Sequence, residues 1–324
     1  GSSAARMAAE ADCAHVIIII AMKEEAAPLV EFYRLEPLGS SPFIEPSPMV
    51  AWRGTLRNGL LLHVVWCGHD ERFGVNNVAT TAAAVSTYAA VAAFGKPALL
   101  LSAGTAGGFG QRGARVGDVY LSTKCVFHSR RIPVSDGTLE EYGFGHFRSP
   151  PLAGLAAAAG LKQGVVSTSD SLDCTPTDMD LMMAEGAVVK EMECAAVAWV
   201  CQNLHVPFVA VKSITDIVDG QKATRAEFES NLHAASSALQ HRLAAVLDLV
   251  AGRPLSVWAR GPHATYANER EAEASPMSAH TSHDFKQGSS PWSGQRKSAD
   301  SLSGNSILAI AMFLGMVTLL SRRR

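Results

Sequence analysis

Three carboxylates in the sequence stand where a predicted strand ends or a predicted helix begins. Glu25 follows the isoleucine-rich run Val16–Ile20, Asp216 follows the apolar run Phe208–Ile214, and Glu193 opens an alanine-rich helix. Folds that alternate strands and helices gather ligand-binding groups at the carboxyl ends of their strands. Two acids held in different protonation states can act as general acid and general base. The three side chains are therefore candidates for one acid–base site.

Each carboxylate, taken alone, also has an ordinary structural explanation. Glu24 and Glu25 suit the first turn of a helix, where negative charge is favoured by the helix dipole. Asp216 suits the N-cap of a helix, and Glu193 suits a helix start. A catalytic role therefore depends on the acids meeting in one place.

The small-residue segment Ser102–Gly110 follows the predicted strand Ala98–Leu101. Residues without bulky side chains allow a flat ligand to approach the backbone closely. The segment lacks the Gly-Lys-Ser/Thr ending of a P-loop, and it does not match Gly-x-Gly-x-x-Gly, so dinucleotide binding is at most weakly indicated. It predicts either a ligand-facing loop or a glycine-rich turn.

The elements that would position these groups are short apolar runs separated by alanine-rich stretches. The apolar runs suit strands buried on both faces, and the alanine-rich stretches suit helices. Their alternation predicts an α/β fold with a mostly parallel or mixed central sheet. The predicted strands are Val16–Ile20, Leu60–Val65, Ala98–Leu101, Val119–Leu121, Val165–Val166 and Phe208–Ile214, and the predicted helices are Val75–Phe94, Glu191–Asn203 and Glu227–Val250.

Composition restricts the class of protein and its compartment. The 324 residues include 28 basic and 30 acidic ones, and no basic stripe of the kind that neutralises nucleic-acid phosphates is present. The six cysteines form no Cys-x-x-Cys pair, which argues against structural zinc and for reduced core thiols in a cytoplasmic compartment. The run Val16–Ile20 lacks a small-residue cleavage site, so no signal peptide is predicted.

Four regions are expected along the chain: a loose leader (1–13), one folded domain (14–252), a serine-rich disordered linker (253–304) and an apolar tail (305–324). In the tail, Ile307–Leu320 is uncharged and would form a helix of about 21 Å. A hydrocarbon core needs about 30 Å. The tail is therefore either a marginal membrane anchor or a helix that docks on a partner or on the domain.

The ordered segments together resemble the 5′-methylthioadenosine/S-adenosylhomocysteine nucleosidases of the purine nucleoside phosphorylase superfamily, the plant-type methylthioadenosine nucleosidases above all. The resemblance covers about Val16 to about Val250 and includes four further stretches, Arg72–Val75, Phe127–Pro133, Asp170–Asp173 and Thr215–Gly220. It implies a three-layer α/β/α fold with a central mixed sheet. It also implies hydrolysis of the N-glycosidic bond of 5′-methylthioadenosine without a cofactor or metal, with S-adenosylhomocysteine left open as a second substrate.

The same resemblance implies a role for individual residues. Glu25 matches the glutamate that orients and deprotonates the attacking water, Asp216 matches the aspartate that serves the purine, and Glu193 matches the glutamate that holds the ribose hydroxyls. The further substrate-binding matches are Met22 and Met192 at the sugar, Thr105, Ala106 and Gly107 beside the nucleoside, Leu172 at the purine, and Lys212 near the water and the acids.

Glycosidic cleavage places requirements on the two catalytic acids. Positive charge develops on the sugar, and nearby carboxylates stabilise it. Asp216 would give a proton to the departing purine, which calls for a pKa raised by burial, whereas Glu25 must be ionised to act on water. The resemblance further implies a homodimer, with the segment 127–145 as the expected contact.

Two alternative functions remain open from the sequence. A phosphorylase would use phosphate in place of water, and Arg72, Arg130 and Arg131 are cations that would suit it. Glu25 opposes that alternative, because a carboxylate about 4 Å from a phosphate oxygen costs on the order of 4 kcal/mol per unit charge at an effective dielectric of 20. The other alternative is a storage or nucleoside-binding protein of the same fold without turnover. Ser129 and Ser169 depart from residues common in the relatives, and neither position is one of the three carboxylates.

Overall fold

The computed structural model describes residues 11–132, 138–221 and 224–260. They all belong to the first of two compact units, Gly1–Ala267, whereas the second unit, Asn268–Arg324, lies outside the described residues. Within the described residues no helix is long and apolar enough to cross a membrane. Most of the predicted linker and the whole predicted tail fall outside these residues.

Twelve strands alternate with seven α-helices over the described residues. The strands are β1 (His15–Ile20), β2 (Glu36–Gly39), β3 (Val50–Thr55), β4 (Leu61–Trp66), β5 (His69–Asp70), β6 (Val75–Asn76), β7 (Leu99–Gly108), β8 (Val119–Phe127), β9 (Phe147–Arg148), β10 (Lys162–Thr168), β11 (Ala187–Glu191) and β12 (Phe208–Ile217). The helices are α1 (Lys23–Tyr33), α2 (Ala79–Phe94), α3 (Thr138–Phe144), α4 (Ala153–Ala159), α5 (Pro176–Ala184), α6 (Cys194–Leu204) and α7 (Thr224–Val250).

The central sheet is mixed, as the sequence predicts. Its strand order is β11-β10-β8-β12-β7-β1-β4-β3-β2, with β9 paired to β8. Strand β1 pairs in parallel with β4 and β7, while β12 pairs in parallel with β7 and antiparallel with β8. The small strands β5 and β6 form a separate hairpin.

Successive residues of β1 enter different cores, which makes the fold three-layered. Val16, Ile18 and Ile20 pack in one hydrophobic cluster, and Ile17 and Ile19 pack in a second. Alternate residues of a strand face opposite sides of a sheet, so these clusters lie on its two faces. Helices α1, α4 and α7 contribute to the first cluster, and α2 and α6 contribute to the second. The α/β/α prediction is confirmed.

Five strands of the sheet pair in a closed ring. Strand β11 pairs with β10 and also, antiparallel, with β7 through Val189–Gly108 and Lys190–Gly107. The circuit therefore runs β7-β12-β8-β10-β11 and returns to β7. It brings the carboxyl-terminal halves of β7, β11 and β12 together.

The expectation of a loop at Ser102–Gly110 is wrong. Strand β7 runs through Gly108, so most of the small-residue segment is a fully buried strand. The segment pairs with β1, β12 and β11, and these pairings satisfy its backbone and outweigh the weak strand preference of glycine. Strand β12 likewise continues to Ile217, so Asp216 lies within a strand and is not a helix N-cap.

Other element boundaries also differ from the predicted ones. Helix α2 begins at Ala79 because Val75 and Asn76 belong to the β5–β6 hairpin. Helix α6 begins at Cys194, and Glu191 ends strand β11, which the sequence reasoning missed. The folded unit extends beyond both predicted ends, since Cys13 and Leu255 are buried in the first cluster.

Candidate active site

Glu25 is held at the start of helix α1 by donors from two elements. It occupies the third position of the helix, where its Oε2 accepts a 3.4 Å hydrogen bond from the backbone N–H of Met22. Its Oε1 accepts hydrogen bonds from the backbone N–H and the Oγ1 hydroxyl of Thr105, each at 2.6 Å. Burial raises the pKa of the Glu25 carboxyl, while Lys212 and these three donors oppose that rise. The donors favour the ionised carboxylate.

Asp216 lies opposite Gly107, just after a register shift in β12. Its Oδ1 accepts a 2.7 Å hydrogen bond from the Thr215 hydroxyl, and its buried Oδ2 has no hydrogen-bond partner among the described residues. Burial raises the pKa of Asp216. A buried oxygen without a partner is costly when charged, so the protonated acid is favoured here.

Lys212 balances a cluster of three buried glutamates. Its Nζ lies 3.0 Å from Glu191 and 3.8 Å from Glu193. A Cβ at Gly104 would lie 3.1 Å from Glu25 Oε2 and 3.3 Å from Lys212 Nζ, which places Glu25 beside the same lysine. The Lys212 side chain is only 2% exposed. Burial lowers the pKa of Lys212, but Cys194 and the three glutamates together raise it well above its ordinary value.

Glu191, the last residue of β11, and Glu193, the residue before α6, have different environments. Glu191 accepts hydrogen bonds from the Thr168 hydroxyl and from the backbone N–H groups of Glu193 and Cys194. Burial raises the pKa of Glu191, but Lys212 and these donors lower it below its ordinary value. Glu193 accepts one 2.9 Å hydrogen bond from the Ala79 backbone N–H, and burial raises its pKa to about 7. Of these two glutamates, Glu193 is therefore the one that holds a proton more readily.

A single cavity of about 310 Å³ joins these groups. Its volume is at the lower end of the range for small-molecule sites, about 300–1,000 Å³. It is lined by all the predicted site residues except Lys212, namely Met22, Glu25, Thr105, Ala106, Gly107, Leu172, Met192, Glu193 and Asp216. Lys212 lies behind Glu191 and Glu193 and acts on the cavity through its charge.

Comparison with known proteins agrees with this geometry. Residues 15–248 match the family model described as the phosphorylase superfamily. An Arabidopsis thaliana 5′-methylthioadenosine/S-adenosylhomocysteine nucleosidase is 39% identical over 74% of this chain and 93% of its own length. A second Arabidopsis thaliana protein, a 5′-methylthioadenosine nucleosidase, is 39% identical over 74% of this chain and 89% of its own length. The chain belongs to the methylthioadenosine nucleosidase family.

A solved structure supports the same family membership. The apo form of Arabidopsis thaliana 5′-methylthioadenosine nucleosidase superposes with a TM-score of 0.73 at 38% sequence identity, covering 76% of this chain and 99% of that one. Because almost all of that structure is matched, the nucleosidase fold accounts for the part of this chain that carries the cavity.

Several cavity residues of this nucleosidase-family chain were not singled out from the sequence. Lys190 and Glu191 are buried charged residues in a short strand, and strand patterns built on apolar runs do not find such residues. A Lys-Glu pair between two valines and Met192 was the available signal. The other additional lining residues are Ala21, Val78, Asp173, Cys174, Thr215, Val218 and Phe228.

The three arginines that suited a phosphorylase do not line the cavity. Arg72 forms an exposed ion pair with Asp70 at 2.8 Å. Arg130 donates to the backbone carbonyls of Tyr142 and Gly143, and Arg131 forms a 3.0 Å ion pair with Asp178. Each has a structural role outside the nucleosidase-family cavity.

Proposed function

We propose that this chain hydrolyses the N-glycosidic bond of 5′-methylthioadenosine, releasing adenine and 5-methylthioribose. The observation that carries the proposal is the pairing, in one small cavity, of a hydrogen-bonded Glu25 with a buried Asp216 whose Oδ2 has no partner among the described residues. Family membership and the two relatives named above support the same reaction.

In the proposed mechanism Asp216 is the general acid. Burial raises its pKa and so favours the protonated carboxyl, which lies against Gly107 so closely that a Cβ there would be 2.9 Å from Asp216 Oδ2. Transfer of that proton to a ring nitrogen of the purine lets the base leave as neutral adenine. The bonding electrons of the glycosidic bond then remain with the base.

Glu25 is the proposed general base. Burial raises the pKa of Glu25, while three hydrogen-bond donors and the nearby Lys212 favour its ionised form, in which it accepts a proton from water as the oxygen attacks the sugar carbon. The water supplies the oxygen of the new bond and its proton goes to Glu25, while the purine takes the proton of Asp216. Glu25 then releases its proton to solvent and Asp216 takes one up, which restores both acids with no net change in protons.

Glu193 and the two methionines are assigned to the sugar. The carboxylate of Glu193 is anchored through Oε1 to Ala79, which leaves its other oxygen for ribose hydroxyls. Burial raises the pKa of Glu193 to about 7, so the group is partly ionised at neutral pH, and its ionised form also stabilises the cation that develops on the ribose. Met22 and Met192 give the cavity apolar surface beside the sugar, and Leu172 does the same for the purine.

Water is a better co-substrate than phosphate for this cavity. Glu25 is a carboxylate in this cavity, and none of Arg72, Arg130 and Arg131 lines it, so an added phosphate dianion would be repelled by Glu25 without an arginine to bind it. The storage-protein alternative has no specific support, because the predicted acids lie together in one cavity and burial raises the pKa of Asp216, as a general acid requires.

A homodimer is part of the proposal. An apolar groove runs between α2, α6 and the segment 42–49, and its exposed side chains include Ile44, Val85, Tyr88 and Trp199. A second copy of this chain is the proposed occupant, because α2 and α6 begin directly after the cavity residues Val78 and Glu193. The predicted contact segment 127–145 is a different surface, and part of it lies outside the described residues.

Sedimentation at nanomolar concentration tests the dimer. Tyr88→Arg should produce monomers and raise KM, whereas Val257→Arg, a matched change at an exposed apolar residue outside the groove, should do neither. A fully active monomer of the unchanged protein would contradict the dimer proposal.

The apolar tail remains a predicted membrane anchor. Residues 305–324 lie outside the described part of the chain. Membrane fractionation of the chain with and without them tests the anchor. Equal partition of both forms into the soluble fraction would reject it.

Product analysis tests the reaction itself. In phosphate-free buffer the protein should release adenine from 5′-methylthioadenosine, and added phosphate should yield no 5-methylthioribose 1-phosphate. Phosphate-dependent turnover would replace hydrolysis by phosphorolysis. Nucleoside binding without adenine release would support a binding protein. The same assay with S-adenosylhomocysteine measures the breadth of substrates.

A further inference from the structure

Lys190 is a buried cation at the cavity for which the proposed mechanism has no use. It lies on β11 and is 5% exposed. Its Nζ donates hydrogen bonds to two consecutive backbone carbonyls, those of Ser171 at 2.8 Å and Leu172 at 2.7 Å. A buried ammonium group has lost its hydration, so its hydrogen bonds to these two carbonyls must replace it. These bonds hold the backbone of Ser171 and Leu172 in place.

The segment fixed in this way is one wall of the cavity. Leu172, Asp173 and Cys174 all line the cavity, although Leu172 is half exposed and belongs to no helix or strand. Ser171 also receives support from Ser169, whose hydroxyl contacts both its N–H and its carbonyl. Lys190 is thus the tie between this wall and the central sheet.

The strand register also places Lys190 across Gly107 from Asp216. Gly107 pairs with Asp216 of β12 on one side and with Lys190 of β11 on the other. Neighbouring strands are about 4.8 Å apart, so the two backbones are about 10 Å apart. A Cβ at Gly107 would lie 2.9 Å from Asp216 Oδ2 and 2.6 Å from Val218 Cγ2, so these two side chains occupy the space over the glycine. The carboxyl of Asp216 therefore lies over the glycine that separates it from Lys190.

We propose that Lys190 is a positioning residue of the reaction, which holds the Ser171–Leu172 wall against the purine and acts through its charge on the acid Asp216. The proposal rests on Asp216 being the proton donor described above. The Lys190 charge lowers the pKa of Asp216 and so opposes part of the rise that burial causes. Lys190 thereby sets the upper end of the pH range in which Asp216 carries its proton.

Other ionisable groups face the same two residues and must be considered in any pH profile. Glu227 of α7 also faces Asp216 and raises its pKa. Lys190 itself faces Asp216, Glu191, Asp173 and Cys174. Burial lowers the pKa of His128, the residue after β8, and the Lys190 charge lowers it further. None of the substitutions below removes these other groups.

The test compares three substitutions of Lys190 in the full chain. Lys190→Met removes the charge and both hydrogen bonds, Lys190→Gln removes the charge and keeps a donor, and Lys190→Arg keeps the charge. The rate of adenine release falls at high pH when Asp216 loses its proton, so the alkaline limb of kcat reports on Asp216. Lys190→Met and Lys190→Gln should move that limb upward by about one pH unit, and Lys190→Arg should leave it in place.

The Michaelis constant distinguishes the effect of Lys190 on the cavity wall from the effect of its charge on Asp216. Lys190→Met should raise KM by about tenfold because the cavity wall loses its tie, and Lys190→Gln should raise it less. Lys162→Met is the matched control, since Lys162 also donates to a backbone carbonyl and a carboxylate but lies outside the cavity. It should change neither the limb nor KM.

If the alkaline limb stays in place in both Lys190→Met and Lys190→Gln, the proposed effect of the Lys190 charge on Asp216 is overturned. If these variants lose thermal stability but keep the limb and KM of the unchanged protein, Lys190 is only structural. If Lys190→Met fails to fold, Lys190→Gln carries the test. Asp216→Asn distinguishes the two proposals, because near-normal turnover of that variant would remove Asp216 as the acid whatever Lys190 does.

Discussion

The hydroxyl of Thr105 provides the sharpest test of how Glu25 is kept ionised. Thr105→Val removes one of the two 2.6 Å hydrogen bonds to Glu25 Oε1 and leaves the backbone N–H bond in place. Valine has nearly the shape of threonine and keeps the β-branched side chain that suits strand β7. The substitution therefore changes the number of donors with little change in packing.

The expected magnitude follows from the worth of a hydrogen bond to a charged group. Such a bond contributes about 1.5–3 kcal/mol, which corresponds to about 1–2 pKa units. Burial already raises the pKa of Glu25, and the Thr105 hydroxyl opposes that rise. Its loss should move the acidic limb of the rate profile upward by about 1–2 pH units, because Glu25 must be ionised to act on water. Below the limb of the unchanged protein, the rate should fall about 10–100-fold.

Initial rates of adenine release measured across the pH range provide the assay. Thr87→Val is the matched control, because its buried hydroxyl bonds to Ala83 within α2 and lies outside the cavity. The control should keep the acidic limb where it is. If Thr105→Val also keeps it there at an undiminished rate, the donors do not set the ionisation of Glu25 and the reasoning is refuted.

Three further predictions follow from contacts at the site and in the sheet. Gly107→Ala would place a Cβ 2.6 Å from Val218 Cγ2 and 2.9 Å from Asp216 Oδ2, so kcat should fall about 10²-fold while circular dichroism stays unchanged. Lys212→Met leaves three buried glutamates without their cation, and chemical denaturation should report a loss of about 3–5 kcal/mol, an unchanged midpoint being the contrary result. Burial lowers the pKa of His63 to about 4, and an unfolded histidine titrates near about 6.5, so its stabilising contribution is complete above that pH and is lost as the pH falls toward 4. Melting temperatures at pH 7 and pH 5 should therefore differ less in His63→Gln than in the unchanged protein.

Much of the fold follows from the apolar pattern, and the misses have identifiable causes. The run Val16–Ile20 predicts the bounds of β1 to within one residue. A strand buried on both faces is apolar along its whole length, so its ends are marked by the change to other residues. The carboxyl half of β7 was missed because glycines and small residues there resemble a turn. What makes that half a strand is pairing with β11 and β12, a non-local cause that local propensity cannot express.

The site residues that the family resemblance supplied could be predicted from the sequence. The residues whose role depends on tertiary contacts could not. The structure brings Glu25, Glu193 and Asp216 to one cavity. No sequence pattern indicates that Lys190 is tied to the carbonyls of Ser171 and Leu172. Such a bond joins a strand to a loop about twenty residues earlier, and only the folded chain reveals it.

The closed ring of β7, β12, β8, β10 and β11 has a consequence for how the cavity adapts to its ligand. Thr105, Asp216 and Glu191 all lie on strands of this ring, and a closed circuit has no terminal strand that can fray first. Amide protons on the floor of the cavity should consequently exchange only through unfolding of the whole domain. Adjustment to substituents of different size must then take place at the rim, where Leu172 and Phe228 lie outside the ring.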